Sequence, residues 1–171
     1  DLDWKNKLSS ENNSWAIIEG ACALARMGEK ADQSLILKKL NQLDYAKLSD
    51  DQKLAAIRSY QLAFTRLEKP SSADAQAVIK SLNAHYPSKS NFENRELVQV
   101  LLYLDAPNII TRAVREMVSA TEEQKKILSD EILQRNDRYA AAAKRTEQFR
   151  PNTQQVSLAF SLRSIKNGWT D

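Results

Sequence analysis

Residues 93–105 read ENRELVQVLLYLD, and this stretch decides the fold because it is the most apolar helix that the sequence predicts. Its apolar positions cover nearly every side of such a helix: Leu97, Val98, Val100, Leu101, Leu102 and Leu104. A helix that is apolar almost all round is buried by neighbours on every side. The stretch therefore predicts the buried middle of a stack of helices.

The sequence on both sides of this stretch predicts more helices, because apolar residues recur at helical spacing. Ser49 opens a capping box with Gln52, and Thr121 offers another with Gln124. We expect helices that begin near residues 14, 31, 49, 72, 93, 107, 121, 139 and 153.

Several single residues mark the expected helix ends. Ser14 and Thr153 are the kind of residue that caps a helix N-terminus. Pro107 suits the first position of a helix, whereas Gly28 and Pro87 are expected to end the helices that precede them.

The predicted fold class is all-α. Only 3 Gly and 4 Pro occur in 171 residues, too few for the tight turns of a sandwich or barrel. Alternate helices begin at intervals of roughly 30–45 residues, the period of helix-pair repeats. We therefore expect an α-solenoid of HEAT-like antiparallel helix pairs, about nine helices in all, with residues 1–13 as an entry segment and residues 14–171 as one repeat domain. A single irregular helical bundle is the alternative.

The composition and charge of the chain limit the kinds of function that it can have. The net charge is +3, spread evenly along the chain. No apolar run approaches the roughly 18 residues that a membrane span needs, so no span is expected. Cys22 is the only cysteine, which excludes a disulfide within the chain and a cysteine-based metal site. Because the chain begins at Asp1 and shows no signal peptide, we expect a processed chain or a fragment.

Residues that could carry catalysis are few. His85 is the only histidine and lies at the predicted end of a helix, where the helix dipole already favours it. Cys22 lies in an apolar stripe and is expected to pack as a small hydrophobe. The sequence contains no glycine-rich phosphate loop, serine elbow, His-Glu-x-x-His or Cys-x-x-Cys-His motif. We therefore predict no enzyme activity, no cofactor and no metal.

Five basic residues lie close together within residues 135–150. They are Arg135, Arg138, Lys144, Arg145 and Arg150, and Asp137 and Glu147 dilute them. A solvated helix face explains such a mixed cluster better than a phosphate-binding site. Nucleic-acid binding through the face at residues 135–150 is the alternative function.

Two blocks of sequence resemble a known family. They are NREL at 94–97 with VLLYLDAP at 100–107, and QQ at 154–155 with LAFSLR at 158–163 and GWT at 168–170. This pattern is similar to the HEAT-like region of large exported heme-binding proteins of Planctomycetes, Verrucomicrobia and Bacteroidetes. In that family a sugar-dehydrogenase-like β-propeller precedes the helical repeats, and a c-type cytochrome domain often follows.

The resemblance implies a role without the redox chemistry of such proteins, since neither a propeller nor a heme-attachment motif occurs in this chain. Phe160 also stands where the pattern usually has tyrosine. The implied role is a periplasmic or exported helical spacer whose partners are proteins or neighbouring domains of the same parent chain.

The matched residues also predict a polar clasp between repeats. Asn94 can bind a helix start, while Arg95 and Glu96 can pair with a neighbouring helix. Arg163 is expected to lie in an otherwise apolar helix, so it should snorkel or meet a carboxylate such as Glu96 or Asp105. On this interpretation Arg163→Ala lowers the melting temperature.

The predicted function is a non-catalytic scaffold or spacer that mediates domain or protein contacts. Nucleic-acid binding is the second hypothesis, and salt-dependent DNA binding would mark it. The third is an enzyme with a site on the concave face, resembling HEAT-like DNA glycosylases, which would need a buried acid with a raised pKa beside aromatic residues.

Overall fold

The computed structural model describes residues 3–120, 140–142, 145–146, 149, 151–166 and 168–169. Helices account for the regular structure of these residues, and no strand occurs among them, which confirms the all-α class. The α-helices are α1 Asp3–Ser10, α2 Ser14–Met27, α3 Gln33–Asn41, α4 Asp50–Arg66, α5 Ser72–Leu82, α6 Asn91–Tyr103, α7 Ile109–Ser119 and α8 Thr153–Leu162. Short 3-10 helices lie at Lys30–Asp32, Tyr45–Lys47 and Asn83–His85.

Two predicted helix ends are confirmed. The Ser49 hydroxyl accepts from the Gln52 N–H at 3.3 Å, and the Gln52 side chain accepts from the Ser49 N–H at 3.0 Å, which completes the capping box of α4. Gly28 ends α2, and its N–H donates to the Leu24 carbonyl at 2.7 Å. A Cβ at residue 28 would lie 2.5 Å from that same oxygen, so only glycine fits this close approach.

The exact N-caps differ from the predicted ones by one residue. Asn13, not Ser14, caps α2, and Asn152, not Thr153, caps α8. The side-chain oxygens of both asparagines accept from backbone N–H groups of the first turn, as an N-cap residue does. Serine and threonine at the next position looked equally suitable in the sequence because asparagine, serine and threonine are nearly equivalent caps.

Two other boundaries were wrong by four and by two residues. The helix expected to run to Tyr86 ends at Leu82 and continues as the 3-10 helix Asn83–His85. Pro107 does not open α7, since Asn108 adopts a left-handed φ of 58° and the helix begins after it. The helices expected near residues 121 and 139, with the Thr121 capping box, fall mostly or wholly outside the described residues.

Helix α6 occupies the middle of the packing, as its sequence predicts. It contacts α4, α5, α7 and α8, and Leu97, Val98 and Leu101 are fully buried. The even-numbered helices α2, α4, α6 and α8 contact one another in that order, while α3 packs on α5. Helix α1 lies within the predicted entry segment and packs on α2 and α3 through contacts that bury Leu8.

Buried polar side chains join these helices where backbone groups need partners. Gln33 of α3 is buried, and its Nε2 donates to the carbonyls of Glu68 at 2.8 Å and Leu67 at 3.3 Å. These carbonyls lie at the end of α4, where the helix cannot satisfy them itself. Gln33 therefore caps a neighbouring helix, a role that its place in the sequence did not reveal.

Candidate functional site

Three residues of the predicted clasp, Asn94, Arg95 and Glu96, lie near the start of α6, and Asn94 is the most buried of them at 1% exposure. Its Oδ1 accepts from the Ser88 N–H at 2.6 Å, and its Nδ2 donates to the Ser88 carbonyl at 3.0 Å. The same Nδ2 lies 3.4 Å from Glu116 Oε1 of α7. Asn94 thus holds the segment that enters α6 and connects it to α7.

Arg95 and Glu96 contact two different helices. The Arg95 Nε donates to Gln154 Oε1 of α8 at 2.7 Å, and its guanidinium carbon lies 5.4 Å from the centre of the Phe92 ring. Glu96 Oε2 accepts from Gln61 Nε2 of α4 at 2.8 Å. Successive helix residues point about 100° apart, so residues 94–96 reach α7, α8 and α4 in turn.

Arg163 is not part of this arrangement. It lies at the exposed end of α8, and its guanidinium carbon is 3.6 Å from the centre of the Phe160 ring. The expected ion pair with Glu96 or Asp105 is not formed among the described residues. The helix ends one residue before Arg163, which frees its side chain to lie along the surface instead of crossing to α6.

This placement changes the expected effect of Arg163→Ala, which should leave the free energy of unfolding within about 0.5 kcal/mol of the parent value. Arg95→Ala should cost about 1–2 kcal/mol, because the buried Gln154 oxygen loses its donor. Chemical denaturation of the two variants checks this difference. Equal losses would contradict the separation of Arg163 from the clasp.

A surface along α6 gathers three exposed aromatic residues. The exposed fractions are 58% for Phe92, 43% for Tyr103 and 59% for Phe160. We call this region the α6 surface, and it comprises Leu54, Arg58, Phe92, Arg95, Glu96, Gln99, Tyr103, Ser157, Phe160, Ser161, Arg163 and Ser164. One shallow groove separates α4 from α6 near Phe92, and a second separates α6 from α8 near Tyr103.

The helices beneath hold the α6 surface in place. The Tyr103 ring stacks on Phe64 of α4, with ring centres 5.5 Å apart and an interplanar angle of 18°. Helices α4 and α8 form the outer walls of the two grooves, and both are joined to α6 by hydrogen bonds. Arg95 bonds to Gln154 of α8, and Glu96 bonds to Gln61 of α4. The aromatic and charged side chains of the α6 surface are therefore carried by helices that are packed against one another.

A second concave region lies around His85, a cleft of about 620 Å³ between the start of α4 and the start of α6. The Tyr45 hydroxyl donates to Glu93 Oε1 at 2.9 Å, and the His85 ring packs on Tyr45 with centres 4.4 Å apart. Burial, together with the nearby Glu93 charge, raises the pKa of Tyr45 well above its usual value. Tyr45 therefore stays protonated and keeps the Glu93 carboxylate engaged, and the His85 ring packs beside this pair.

The other features considered in the sequence are a metal site, a membrane span and the basic face at residues 135–150. Among the residues that the structure describes, no group of three His, Cys, Asp or Glu could hold a metal ion. None of the described helices is long and apolar enough to cross a membrane. Arg145 of the predicted basic face is exposed, whereas Arg135, Arg138, Lys144 and Arg150 lie outside the described residues.

Comparisons with known proteins leave the family open. No family model, no curated protein sequence and no solved structure matches this chain. The resemblance to the HEAT-like region of exported heme-binding proteins stays a prediction.

Proposed function

We propose that this chain is a non-catalytic helical-repeat scaffold, and that the α6 surface docks a protein partner or a neighbouring domain of a larger exported protein. The observation that carries the proposal is the set of exposed aromatic side chains on that surface, Phe92, Tyr103 and Phe160. The exported location and the parent protein follow from the sequence resemblance alone.

The order of helix contacts supports a repeat architecture. Helices α2, α4, α6 and α8 contact one another in succession, and α3 packs on α5 beside them. A stack of helix pairs has this property, since each pair contacts mainly the pair before it and the pair after it. We therefore propose an α-solenoid in which α2–α3 and α6–α7 are HEAT-like pairs and α4 continues the row of even-numbered helices between them.

The composition of the α6 surface supports docking. Aromatic residues and arginine are enriched at protein interfaces relative to other surfaces, and Arg58, Arg95 and Arg163 lie among the exposed rings. Large rings on a rigid surface lose little conformational entropy when a partner covers them. Burying such side chains contributes most of the binding energy of typical interfaces.

The use of buried polar groups supports a non-catalytic role. Glu93, the one buried carboxylate among the described residues, accepts from Tyr45, and the buried Asn94 binds the backbone of Ser88. The buried Gln33 caps α4. Glu93 is a buried acid beside an aromatic ring, as the enzyme hypothesis requires, but like Asn94 and Gln33 it joins separate elements of the fold.

Site-specific photocross-linking tests the proposal. With p-benzoylphenylalanine at Phe160 of the full-length protein in its source cell, we expect a discrete adduct to one protein or to a neighbouring domain. The same group at Gln76, which is exposed on α5, serves as the matched control and should give none. Equal labelling at both positions, or no adduct at Phe160, would refute docking at this surface.

A further inference from the structure

We propose that the α6 surface receives an acidic polypeptide segment that also carries apolar side chains. This inference rests on the proposed docking function and specifies the chemistry of the partner. It is drawn from the charge balance of the surface, the shape of its two grooves and the way its arginines lie on its aromatic rings.

The α6 surface carries more positive than negative charge, because its arginines outnumber its carboxylates. Arg58, Arg95 and Arg163 line its two grooves, and none of them forms an ion pair within the part of the chain that the structure describes. Glu96 is the carboxylate of this surface, and it accepts from Gln61. The overall net charge of +3 is small, so this local excess is a property of the surface and not of the chain as a whole.

Apolar side chains line the two grooves and lie between these charged groups. Phe92 and Leu54 line the first groove, and Tyr103, Leu102 and Phe160 line the second. Three of the six residues that line the α8 side of the second groove are serines, Ser157 and Ser161 in α8 and Ser164 just after it. Small side chains leave room for the side chains of a bound segment, so apolar residues of the partner can enter between the aromatic rings.

The arginines also show why a peptide fits better than a nucleic acid. The guanidinium groups of Arg95 and Arg163 lie over the rings of Phe92 and Phe160 at 5.4 Å and 3.6 Å. Binding of single strands depends on open aromatic faces on which bases stack, and a guanidinium already competes for one face of each of these two rings. A guanidinium that lies over a ring still has N–H groups free to meet a carboxylate, which it can bind in a bidentate way.

The experiment measures fluorescence anisotropy of a short synthetic peptide of repeated glutamate–glutamate–leucine units, labelled with fluorescein. The double variant Arg58→Glu/Arg163→Glu replaces two exposed arginines and should raise the Kd at least about tenfold. The control Lys38→Glu/Lys80→Glu makes the same change of net charge on exposed positions of α3 and α5, and its Kd should stay within about twofold of the parent value. Binding should also weaken as salt is raised.

Three outcomes would overturn the inference. They are no binding of the acidic peptide, equal weakening by both double variants, or tighter binding of a labelled single-stranded oligonucleotide that the Arg58→Glu/Arg163→Glu variant abolishes. If photocross-linking at Phe160 yields a protein while the acidic peptide does not bind, docking stands and only the acidic partner is rejected. If Phe160 gives no adduct, the docking function itself is rejected.

Discussion

Leu101→Ala should lower the free energy of unfolding by roughly 3 kcal/mol, the largest effect that we expect from a single substitution. Leu101 is fully buried in α6, which contacts α4, α5, α7 and α8. Truncation removes apolar contact and leaves a cavity, and helices packed on several sides cannot all move in to fill it. For a chain of this size, the melting temperature should fall by roughly 6–12 °C.

Chemical and thermal denaturation of the purified protein measure this loss. Val118→Ala is the matched control, because Val118 is 74% exposed on α7 and its truncation should cost less than about 0.5 kcal/mol. If Leu101→Ala were as stable as Val118→Ala, α6 would not be the central helix of the packing.

Asn94→Ala should cost about 2–3 kcal/mol, the second largest effect. Asn94 provides both the acceptor for the Ser88 N–H and the donor for the Ser88 carbonyl, and it also reaches Glu116 of α7. Its removal leaves partly buried backbone groups without partners, which costs more than the hydrogen bonds themselves contribute. The segment that enters α6 should then become less ordered.

A second variant separates hydrogen bonding from lost volume. Asn94→Leu fills a similar space but offers no polar atom, so it should be about as destabilised as Asn94→Ala. Gln99→Ala on the exposed side of the same helix is the control, since within the described residues the Gln99 amide donates to nothing but the Arg95 carbonyl of its own helix, at 3.0 Å. Full recovery of stability in Asn94→Leu would show that Asn94 acts by packing alone. Denaturation curves decide between these results.

Local sequence predicted the features that depend on neighbouring residues. The capping box of Ser49 and Gln52 needs residues only three positions apart, so its geometry follows from the sequence once the helix forms. Gly28 ended α2 as predicted because glycine tolerates the close approach of the Leu24 carbonyl. Where the prediction failed by one residue, at Ser14 and Thr153, the sequence offered two caps of nearly equal strength.

Contacts between distant residues could not be predicted in this way. The bond of Gln33 to the end of α4 joins residues 35 positions apart, and that of Tyr45 to Glu93 joins residues 48 apart. Polar residues with one partner in the core look the same in sequence as polar residues that face solvent. The expected pairing of Arg163 with Glu96 or Asp105 failed for the same reason, since the sequence alone does not show that the Arg163 side chain lies on the Phe160 ring instead of reaching α6.

By itself, the sequence determined that this protein is all-α and that the stretch around Leu97 and Leu101 is its buried centre, because helical periodicity and apolar content are properties of short segments. Only the tertiary structure decided which side chains meet on the α6 surface. Phe92 and Phe160 lie on different helices, and the side of each helix that faces solvent depends on how all the helices pack together.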